Sequence, residues 1–449
     1  MPDERPPLPA APRPQLSLFD STCIIVGIII GSGIYESSSM VAGCMGSGAG
    51  TLAVWLAGGL LALCGALCYA ELASAWPREG GDYVYLTRAY GRGTGFLFGW
   101  AQLLIVRPAD IALLAFVFAR YALSLSDPFG GDKRPYAAGA VIVLTLLNIL
   151  GVRAGARTQN VLTVVKAGGL VALVVAGFLA PGPAAAPAAL DVPPWFGPQL
   201  ALILVLFTYG GWSEMAYVAA EVRNPQRNIL RALLLGTGAV TALYLLVNGA
   251  FLHALGYAGM SASKAVAVDT AAALLPDAAG RLIAALVCIS ALGAVNGLVM
   301  TGARITYALG ADHAVFGALG RWDPRQGTPI RALVVQGAIS LGIVFVAGDF
   351  VKTLLYTAPV YWLFALATGL SVFVLRVREP GAPRPVRAPG YPVTPILFVL
   401  ACAFMICSCV TYAIGNMPWS LAVLGGMLGV GMVVYWITAL WGGVKRTAE

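Results

Sequence analysis

The sequence predicts an all-α integral membrane protein with twelve transmembrane helices. Of the 449 residues, 59% are hydrophobic and only 11% are charged, and the mean hydropathy is +0.82. A soluble domain carries about 25% charged residues. Apolar stretches near the roughly 20 residues that a membrane helix needs follow one another without room for a soluble domain. The predicted spans 1 to 12 are 17–43, 49–76, 94–124, 136–152, 158–180, 198–220, 229–256, 280–311, 330–347, 351–376, 393–414 and 418–442.

The distribution of lysine and arginine predicts the orientation. Loops on one side of the spans hold 20 of the 28 basic residues and loops on the other side hold 6, while Arg107 and Lys166 lie inside spans. The side with more positive charge, which we call the basic face, is predicted to be cytoplasmic. Both chain ends then lie there, as a proline-rich disordered tail at 1–14 and a short tail at 443–449. Because the charges are spread over short loops, the net charge of +8 does not indicate nucleic-acid binding.

Span 1 is interrupted near its middle by Gly31, Ser32 and Gly33, which we call the first break. Backbone N–H and C=O groups need partners inside hydrocarbon, so a helix unwinds there only where protein surrounds it or where it lines a wet cavity. The exposed start of a half-helix carries free N–H groups and a positive dipole, which suit a carboxylate. The alternative is that these glycines serve close helix packing.

Span 6 contains a matching interruption at Gly210 and Gly211, which we call the second break, within the run 207–213. Two broken helices in corresponding positions indicate the binding site of a secondary transporter. Each set of five spans begins with a broken helix, and an odd number of spans reverses the orientation of the second set. We therefore predict inverted repeats at 15–180 and 198–376, followed by two additional helices within 393–442.

Charged residues inside the spans are candidate functional groups. A charge at mid-bilayer costs roughly 2.5–3.5 kcal/mol, so Lys166 is predicted to be functional unless its ammonium snorkels to the interface. Arg107 and Asp110 are three residues apart on one helix face and are expected either to neutralise each other or to leave Asp110 in the pocket. In the pocket, Asp110 would be an acid able to bind a proton or a cationic substrate. Glu214, directly after the second break, is a second acid of this kind.

No residue pattern predicts an enzyme, a metal site, a cofactor or a channel. The eight cysteines lie almost entirely in apolar segments, and His253 and His313 are single. No pore ring or filter motif is present. Acids and bases near the basic face are expected to form gate salt bridges or to be ordinary interface charges. These groups are Glu71 with Arg88 or Arg92, and Glu221 with Arg223 and Arg227.

Short motifs along nearly the whole chain, in order and spacing, resemble the amino acid–polyamine–organocation superfamily, and within it the L-amino acid transporter branch. The motifs are Ile25-Val26-Gly27, Gly31-Ser32-Gly33-Ile34, Tyr69-Ala70-Glu71-Leu72, Arg107-Pro108-Ala109, Gln159-Asn160-Val161 with Lys166, Tyr209-Gly210-Gly211-Trp212, Glu221-Val222-Arg223-Asn224-Pro225, Tyr244 with Asn248, Gly293-Ala294-Val295-Asn296-Gly297 with Arg304, and Gly390-Tyr391-Pro392.

The resemblance implies a LeuT-like five-plus-five inverted repeat and sodium-independent transport of small, neutral L-amino acids by alternating access, through exchange or proton coupling. It implies that the first break binds the substrate carboxylate and the second break its ammonium, with Phe207 closing over the side chain. In relatives, the lysine at the Lys166 position stands where sodium binds in sodium-coupled cousins; Tyr244 and Asn296 are grouped with it. The expected substrate-binding residues are Ile28, Ser32, Gly33, Ile34, Asp110, Phe207, Thr208, Gly210, Gly211, Trp212, Ser213 and Glu214.

Three further expectations depend on the resemblance. The family position of Asp110 is usually uncharged, so a carrier of cationic amino acids or polyamines is the alternative, and a non-transporting amino acid receptor is another. Trp212 is expected either to line the site or to pack in the core. Animal members bond a partner glycoprotein through a cysteine in the loop that here runs from Ser126 to Pro135 without one. We therefore expect a monomer or homodimer in the bacterial inner membrane, with no disulfide-linked heavy chain.

Overall fold

The regular structure of this protein is helical. A computed structural model describes residues 12–182, 197–346, 350–416 and 418–440, and within them the only β structure is two isolated bridges. Most of the predicted tail at 1–14, and all of 443–449, lie outside the described residues. The helices are α1 Leu18–Ile29, α2 Gly33–Met45, α3 Gly48–Ala75, α4 Asp82–Tyr90, α5 Arg92–Ala101, α6 Arg107–Leu125, α7 Arg134–Ile149, α8 Val152–Leu179, α9 Gly197–Thr208, α10 Pro225–Ala262, α11 Val266–Ala272, α12 Ala279–Asp312, α13 Ile330–Val346, α14 Phe350–Arg378, α15 Val393–Asn416 and α16 Pro418–Leu440.

Most of the predicted spans correspond to helices long and apolar enough to cross a membrane. In the described part of the chain nine helical stretches meet that description, and α1 with α2 forms a tenth as a pair bent by 50°. The shorter apolar helices α7 and α13, of 16 and 17 residues, lie where spans 4 and 9 are predicted. An all-helical membrane architecture is therefore confirmed, while the count of twelve spans and the inverted repeat stay predictions.

The start of α1 is fixed by local capping and by the chain before it. Ser17 Oγ accepts a hydrogen bond from the Asp20 N–H at 3.2 Å, and the Asp20 carboxylate accepts one from the Ser17 N–H at 2.8 Å, which is a capping box. Just upstream, the Leu16 N–H donates to the Glu221 carbonyl at 2.8 Å. The chain entering α1 is thus joined to the segment that follows the second break.

Burial separates the centre of the bundle from its lipid-facing rim. In the most apolar part of α12, 78% of the residues are buried inside the protein, against 17% in α16. Helix α12 packs along α6 and α8, while α1 packs between α8 and α10. These five helices, together with the 3₁₀ segment Trp212–Glu221, enclose the two breaks.

A π-helical turn that the sequence analysis did not predict precedes Arg107. Residues Gln102–Val106 form it between α5 and α6, and Pro108 lies in the first turn of α6. Such turns insert an extra residue into a helix and often occur at functional sites. Here the turn changes the direction in which the following residues face, and Arg107 is the first of them.

Candidate functional site

The first break leaves backbone carbonyls in the middle of the protein, and Lys166 binds two of them. Helix α1 ends at Ile29 and α2 begins at Gly33. The Lys166 ammonium, on α8 and fully buried, donates to the carbonyls of Gly27 and of Ile30, the latter at 2.9 Å. Among the described residues no acid lies within ion-pair distance of this lysine, so carbonyl oxygens provide its hydrogen bonds.

Tyr244 and Ser290 bind the remaining carbonyls of the first break. The Tyr244 hydroxyl, from α10, donates to the Ile29 carbonyl at 2.9 Å. The Ser290 hydroxyl, from α12, lies 2.9 Å from the Ile30 carbonyl and 3.1 Å from that of Gly31. Tyr244 is among the residues predicted from the sequence, whereas Ser290 is not. The available signal for Ser290 was a serine within an otherwise apolar span, six residues before Asn296. Three helices therefore brace this break through side chains.

The N-terminal end of α2, by contrast, is uncapped and faces the second break. No side chain caps the backbone N–H groups at the start of this 13-residue helix. A methyl group added to Gly31 would meet nothing within 4 Å, whereas one added to Gly33 would lie 2.8 Å from Thr208 Oγ1. Free N–H groups and the positive end of the α2 dipole therefore adjoin open space next to α9, an arrangement that suits an anion.

The second break exposes carbonyl groups instead. Helix α9 ends at Thr208, and a 3₁₀ segment starts at Trp212. Gly211 adopts φ of +114°, a conformation that side chains disfavour, and a methyl group there would lie 2.6 Å from Ile28 Cγ2. Within the described residues the carbonyls of 208, 209 and 210 accept no hydrogen bond. The free C=O groups at the end of α9 suit a cation.

A buried ion pair lies directly after the second break. Arg107 Nη1 donates to Glu214 Oε2 at 2.9 Å, and both side chains are about 5% exposed or less. The Thr301 hydroxyl, from α12, donates to the same carboxylate oxygen at 2.5 Å, and the Tyr217 ring lies 5.3 Å from the guanidinium. The expected pairing of Arg107 with Asp110 is therefore not what the structure shows, because the π-helical turn and α12 direct Arg107 to Glu214.

Asp110 forms no hydrogen bond or ion pair within the described chain. It lies one turn after Arg107 on α6 and within electrostatic range of both Arg107 and Glu214. The residue is half-buried although its neighbours Ala109 and Ile111 are buried. When all three groups are ionised their charges sum to one negative charge, and Asp110 is the one without a direct partner, because Arg107 pairs with Glu214.

Three other predicted site residues, Ile28, Phe207 and Trp212, make apolar packing contacts. Ile28 is wedged between Gly211 and Gly297, so it packs the two broken spans against α12. Phe207 is half-buried and its ring lies edge-on to Trp362 at 6.2 Å. Trp212 is 4% exposed and packs against α3 and α15 through edge-on contacts with Tyr69 and Phe398, which is a core contact.

Asn296 lies away from the first break. Its side chain donates to Gln159 Oε1 at 2.8 Å and accepts from Asn148 Nδ2 at 2.9 Å, linking α12 to α7 and α8. Ser213 is buried directly beside the second break, and the uncapped N–H groups of α2 include those of Ser32 and Ile34. The structure thus brings most predicted residues together around the breaks and places Asn296 in a neighbouring amide network.

Ion pairs lie at both ends of the spans, with partners that the sequence did not identify. On the basic face Glu221 pairs with Arg304 at 2.7 Å, and both are 1% exposed. On the opposite face Glu36, on α2, pairs with Arg120, on α6. Glu71 pairs with Arg376 at 2.5 Å and also with Arg384 at 3.5 Å, instead of with Arg88 or Arg92; Arg88 pairs with Glu379.

Two carboxyl groups between α3 and the start of α4 have perturbed acidity. Burial, assisted by nearby Glu221 and opposed by Arg304, raises the pKa of Glu79 to about 7. Burial also raises the pKa of Asp82 to about 6, against the opposing effect of the hydrogen bond that Tyr217 donates to it at 2.5 Å. Asp82 thus binds a tyrosine of the segment after the second break, and Glu79 lies within electrostatic range of the Glu221–Arg304 pair that ends it.

The described residues contain no group of three or more His, Cys, Asp or Glu side chains that could hold a metal, and the eight cysteines are free thiols.

Comparisons with known proteins agree on one group. A family model described as amino acid permease matches residues 16–441. The b(0,+)-type amino acid transporter 1 of Mus musculus is 31% identical over 94% of this chain and 88% of its own length. The serine/threonine exchanger SteT of Bacillus subtilis is 30% identical over 93% of this chain and 95% of its own length. The large neutral amino acids transporter small subunit 2 of Mus musculus is 30% identical over 96% of this chain and 82% of its own length.

Proposed function

This chain belongs to the amino acid permease family, and from that premise we propose that it carries small L-amino acids across the bacterial inner membrane, without sodium, by alternating access. It is a membrane transporter of amino acids and not an enzyme. The finer parts of the proposal are the size and charge of the substrate, the absence of sodium and the mode of coupling. We favour exchange, with proton coupling as the alternative.

One observation carries the proposal: the uncapped N–H groups of α2 adjoin the free carbonyls of the second break. An α-amino acid presents a carboxylate and an ammonium a few ångströms apart. The carboxylate matches the positive start of α2 at residues 32–34, and the ammonium matches the carbonyls of 208–210. Phe207 lies at the end of α9, where its half-buried ring can cover the substrate side chain.

Lys166 takes the role of a built-in cation in this proposal. Its ammonium donates to the Gly27 and Ile30 carbonyls at the end of α1, just before the first break, and to the Ser290 carbonyl at 3.3 Å. A positive charge in that position stabilises the unwound backbone without a bound ion. If a proton leaves this group during the cycle, transport is proton-coupled. If the charge is permanent, this group carries no proton across the membrane, and exchange is the mode that we favour.

The test of the proposal is uptake of labelled L-alanine, without sodium, into liposomes that hold the purified protein. One set is preloaded with unlabelled amino acids and one is left empty. Uptake into the preloaded set alone is expected for an exchanger, and uptake into empty liposomes driven by an acidic exterior would assign proton coupling. Absence of alanine uptake from both sets would overturn the proposal for small neutral substrates.

A second candidate, transport of cationic amino acids or polyamines, is favoured by the unpaired carboxyl group of Asp110. A cationic side chain would offset this charge, whereas a neutral substrate leaves it without a partner inside the protein. Substitution Asp110→Asn removes the charge at nearly constant volume. For a cationic carrier it should abolish arginine or putrescine uptake and leave alanine uptake largely intact; for a carrier of neutral substrates arginine is not taken up by either protein.

We also propose that the protein works without a disulfide-linked partner. The loop at 126–133, between α6 and α7, contains no cysteine, and position 134 begins α7. The name of one relative designates a small subunit. Comparing uptake by the purified chain alone with uptake in whole membranes would test whether a second protein is needed.

A further inference from the structure

The basic face carries a cavity of about 550 Å³ that the transport site does not use. Three segments line it: residues 13–15 before α1, residues 150–153 from the end of α7 into the start of α8, and residues 322–327 between α12 and α13. A smaller cavity of about 170 Å³ adjoins it and shares Gln15 and Arg153 with it. We call the two together the arginine basin.

The three segments of the arginine basin touch one another. A methyl group at Gly151 would lie 2.5 Å from the Gln326 carbonyl oxygen, and one at Gly327 would lie 3.4 Å from Gln15 Nε2. Both glycines have positive φ, +118° and +64°, so the backbone turns tightly at each contact. The basin is therefore a defined pocket between segments that are distant in sequence.

The charge of the arginine basin is strongly positive. Five arginines line it, and their guanidinium groups form no ion pair or hydrogen bond with any described residue; they are Arg13, Arg153, Arg157, Arg223 and Arg325. The two nearby acids are already engaged. Asp20 accepts from Ser17 and from Asn160, and Asp323 accepts from the backbone N–H groups at the start of the 325–327 turn. The guanidinium groups keep their donors for a ligand.

The basin lies beyond the basic-face end of the exposed apolar surface of α8. On α8 the exposed apolar side chains begin at Val161 and continue through Val164 and Val175. Val161 follows Arg153 by eight residues, which is about 12 Å along a helix. Next to the basin, Leu150 is 63% exposed. The cavity therefore opens just beyond the apolar band, where phosphate groups of lipids are found.

We propose that the arginine basin binds a phosphate group, presented by an anionic phospholipid headgroup or by a free phosphate compound. Guanidinium groups bind phosphate through paired N–H donors, and basic pockets at the cytoplasmic side of membrane helices attract anionic headgroups. Three separate segments each contribute at least one such group, so one phosphate would be held from three sides.

Phosphate binding there would stabilise the arrangement of the basic face that the structure shows. Trp322, which lines the basin, lies 5.6 Å from the guanidinium of Arg304, and Arg304 pairs with Glu221. The Glu221 carbonyl in turn accepts from the Gln15 N–H at 2.7 Å. A ligand that joins Arg13 to the other two segments therefore holds the chain entering α1 over this buried ion pair, and it favours the state in which the segments are together.

The experiment is thermal unfolding of the purified full chain in detergent with two probes. Sodium phosphate is compared with sodium chloride at equal ionic strength, and short-chain phosphatidylglycerol is compared with phosphatidylcholine. Both probes are titrated against the unaltered protein and against the double variant Arg153→Gln/Arg325→Gln. We expect the probe that binds, sodium phosphate or phosphatidylglycerol, to raise the unfolding temperature relative to its comparison compound. In the double variant the apparent affinity for that probe should fall roughly 30-fold, which corresponds to the loss of about 2 kcal/mol at tenfold per 1.4 kcal/mol.

The matched control is Arg227→Gln/Arg231→Gln, which removes the same charge from exposed residues of the same face outside the basin. It should keep the affinity of the unaltered protein. Stabilisation by phosphatidylglycerol alone would identify a lipid site, and stabilisation by phosphate alone would identify a site for a free compound. Absence of stabilisation by both probes, or equal loss in both double variants, would overturn the proposal. The single variant Arg13→Gln provides the same comparison if the first variant does not fold.

Discussion

The two breaks differ in what happens to their carbonyl groups. At the first break Lys166, Tyr244 and Ser290 donate to the carbonyls of residues 27 and 29–31, so few acceptors remain there. At the second break the carbonyls of 208–210 have no donor among the described residues, and the charged groups nearby, Arg107 and Glu214, bind each other. One break is braced by other helices and the other is left open.

This difference assigns complementary tasks to the two breaks. Bracing occupies the negative end of α1 and leaves only the N–H groups of α2 free, so the first break favours an anionic group. The open carbonyls at the end of α9 favour a cationic group. In the proposed function, a zwitterionic ligand is then oriented by backbone alone, and we propose that Phe207 and Asp110 select its side chain. Four predictions test the contrast, in order of decreasing effect.

The ion pair beside the second break should contribute most to stability. Substitution Glu214→Ala leaves the buried guanidinium of Arg107 without its partner, and we expect the protein to lose about 3–5 kcal/mol of stability. Thermal unfolding of the purified protein measures this. The companion double variant, Glu214→Ala with Arg107→Met, should recover part of the loss, because it removes the unpaired charge. A double variant no more stable than the single one would mean that the pair is not the source of the effect.

Removing the brace of the first break should affect transport more than folding. Lys166→Ala deletes charge-assisted hydrogen bonds worth about 1.5–3 kcal/mol each, so amino acid uptake should fall by roughly 10- to 100-fold or more. Uptake is measured in liposomes at equal protein content, with expression and unfolding temperature as controls. Tyr244→Phe, which loses a single neutral hydrogen bond, should cost about 1 kcal/mol and reduce uptake less. Normal uptake by the Lys166→Ala protein would exclude the bracing role.

The shape of the second break should depend on a single glycine. Gly211→Ala places a side chain at φ of +114° and against Ile28, and the expected cost is about 1–3 kcal/mol with a weaker apparent affinity for substrate. Gly238→Ala is the matched control, because Gly238 lies inside α10 with nothing within 4 Å of an added methyl group. That change should leave stability equal or slightly higher. Competition assays with unlabelled amino acids measure the affinity, and an unaltered affinity in Gly211→Ala would indicate that the break is more plastic than its geometry suggests.

The smallest expected effect is a dependence of stability on pH, through Glu79 and Asp82. Their folded-state pKa values, about 7 and about 6, lie above those of the unfolded chain, so the folded state binds more protons. Stability therefore rises as pH falls from about 8 to 5. We expect the unfolding temperature to increase by a few degrees over this range and the increase to shrink in Glu79→Gln/Asp82→Asn. Identical pH profiles for the two proteins would assign the titration to other groups.

The sequence predicted the location of both breaks because backbone chemistry leaves little choice inside a membrane. Glycine pairs within otherwise apolar spans cannot be explained by hydrophobicity, and α1 and α9 do end next to them, at Ile29 and Thr208. The buried Lys166 was identified for the same reason, since a charge at mid-bilayer needs a compensating environment. The family resemblance added the expected direction in which a substrate binds.

Pairing between distant residues could not be predicted in the same way. Glu71 was expected beside Arg88 or Arg92, which are near in sequence, but Arg376 binds it. Glu221 was expected beside Arg223 and Arg227, but α12 supplies Arg304. Sequence proximity is a poor guide here, because the partner of each acid comes from a helix that is distant in sequence and that packing brings alongside.

By itself, the sequence determined the membrane architecture, the two backbone breaks and the inventory of charges that must be compensated inside the protein. These follow from the cost of exposing polar groups to hydrocarbon, which acts on every residue separately. Only the tertiary structure decided which charges compensate each other: the π-helical turn directs Arg107 to Glu214, and Asp110 is left without a partner. Such pairings depend on helix rotation, which packing fixes and local sequence does not.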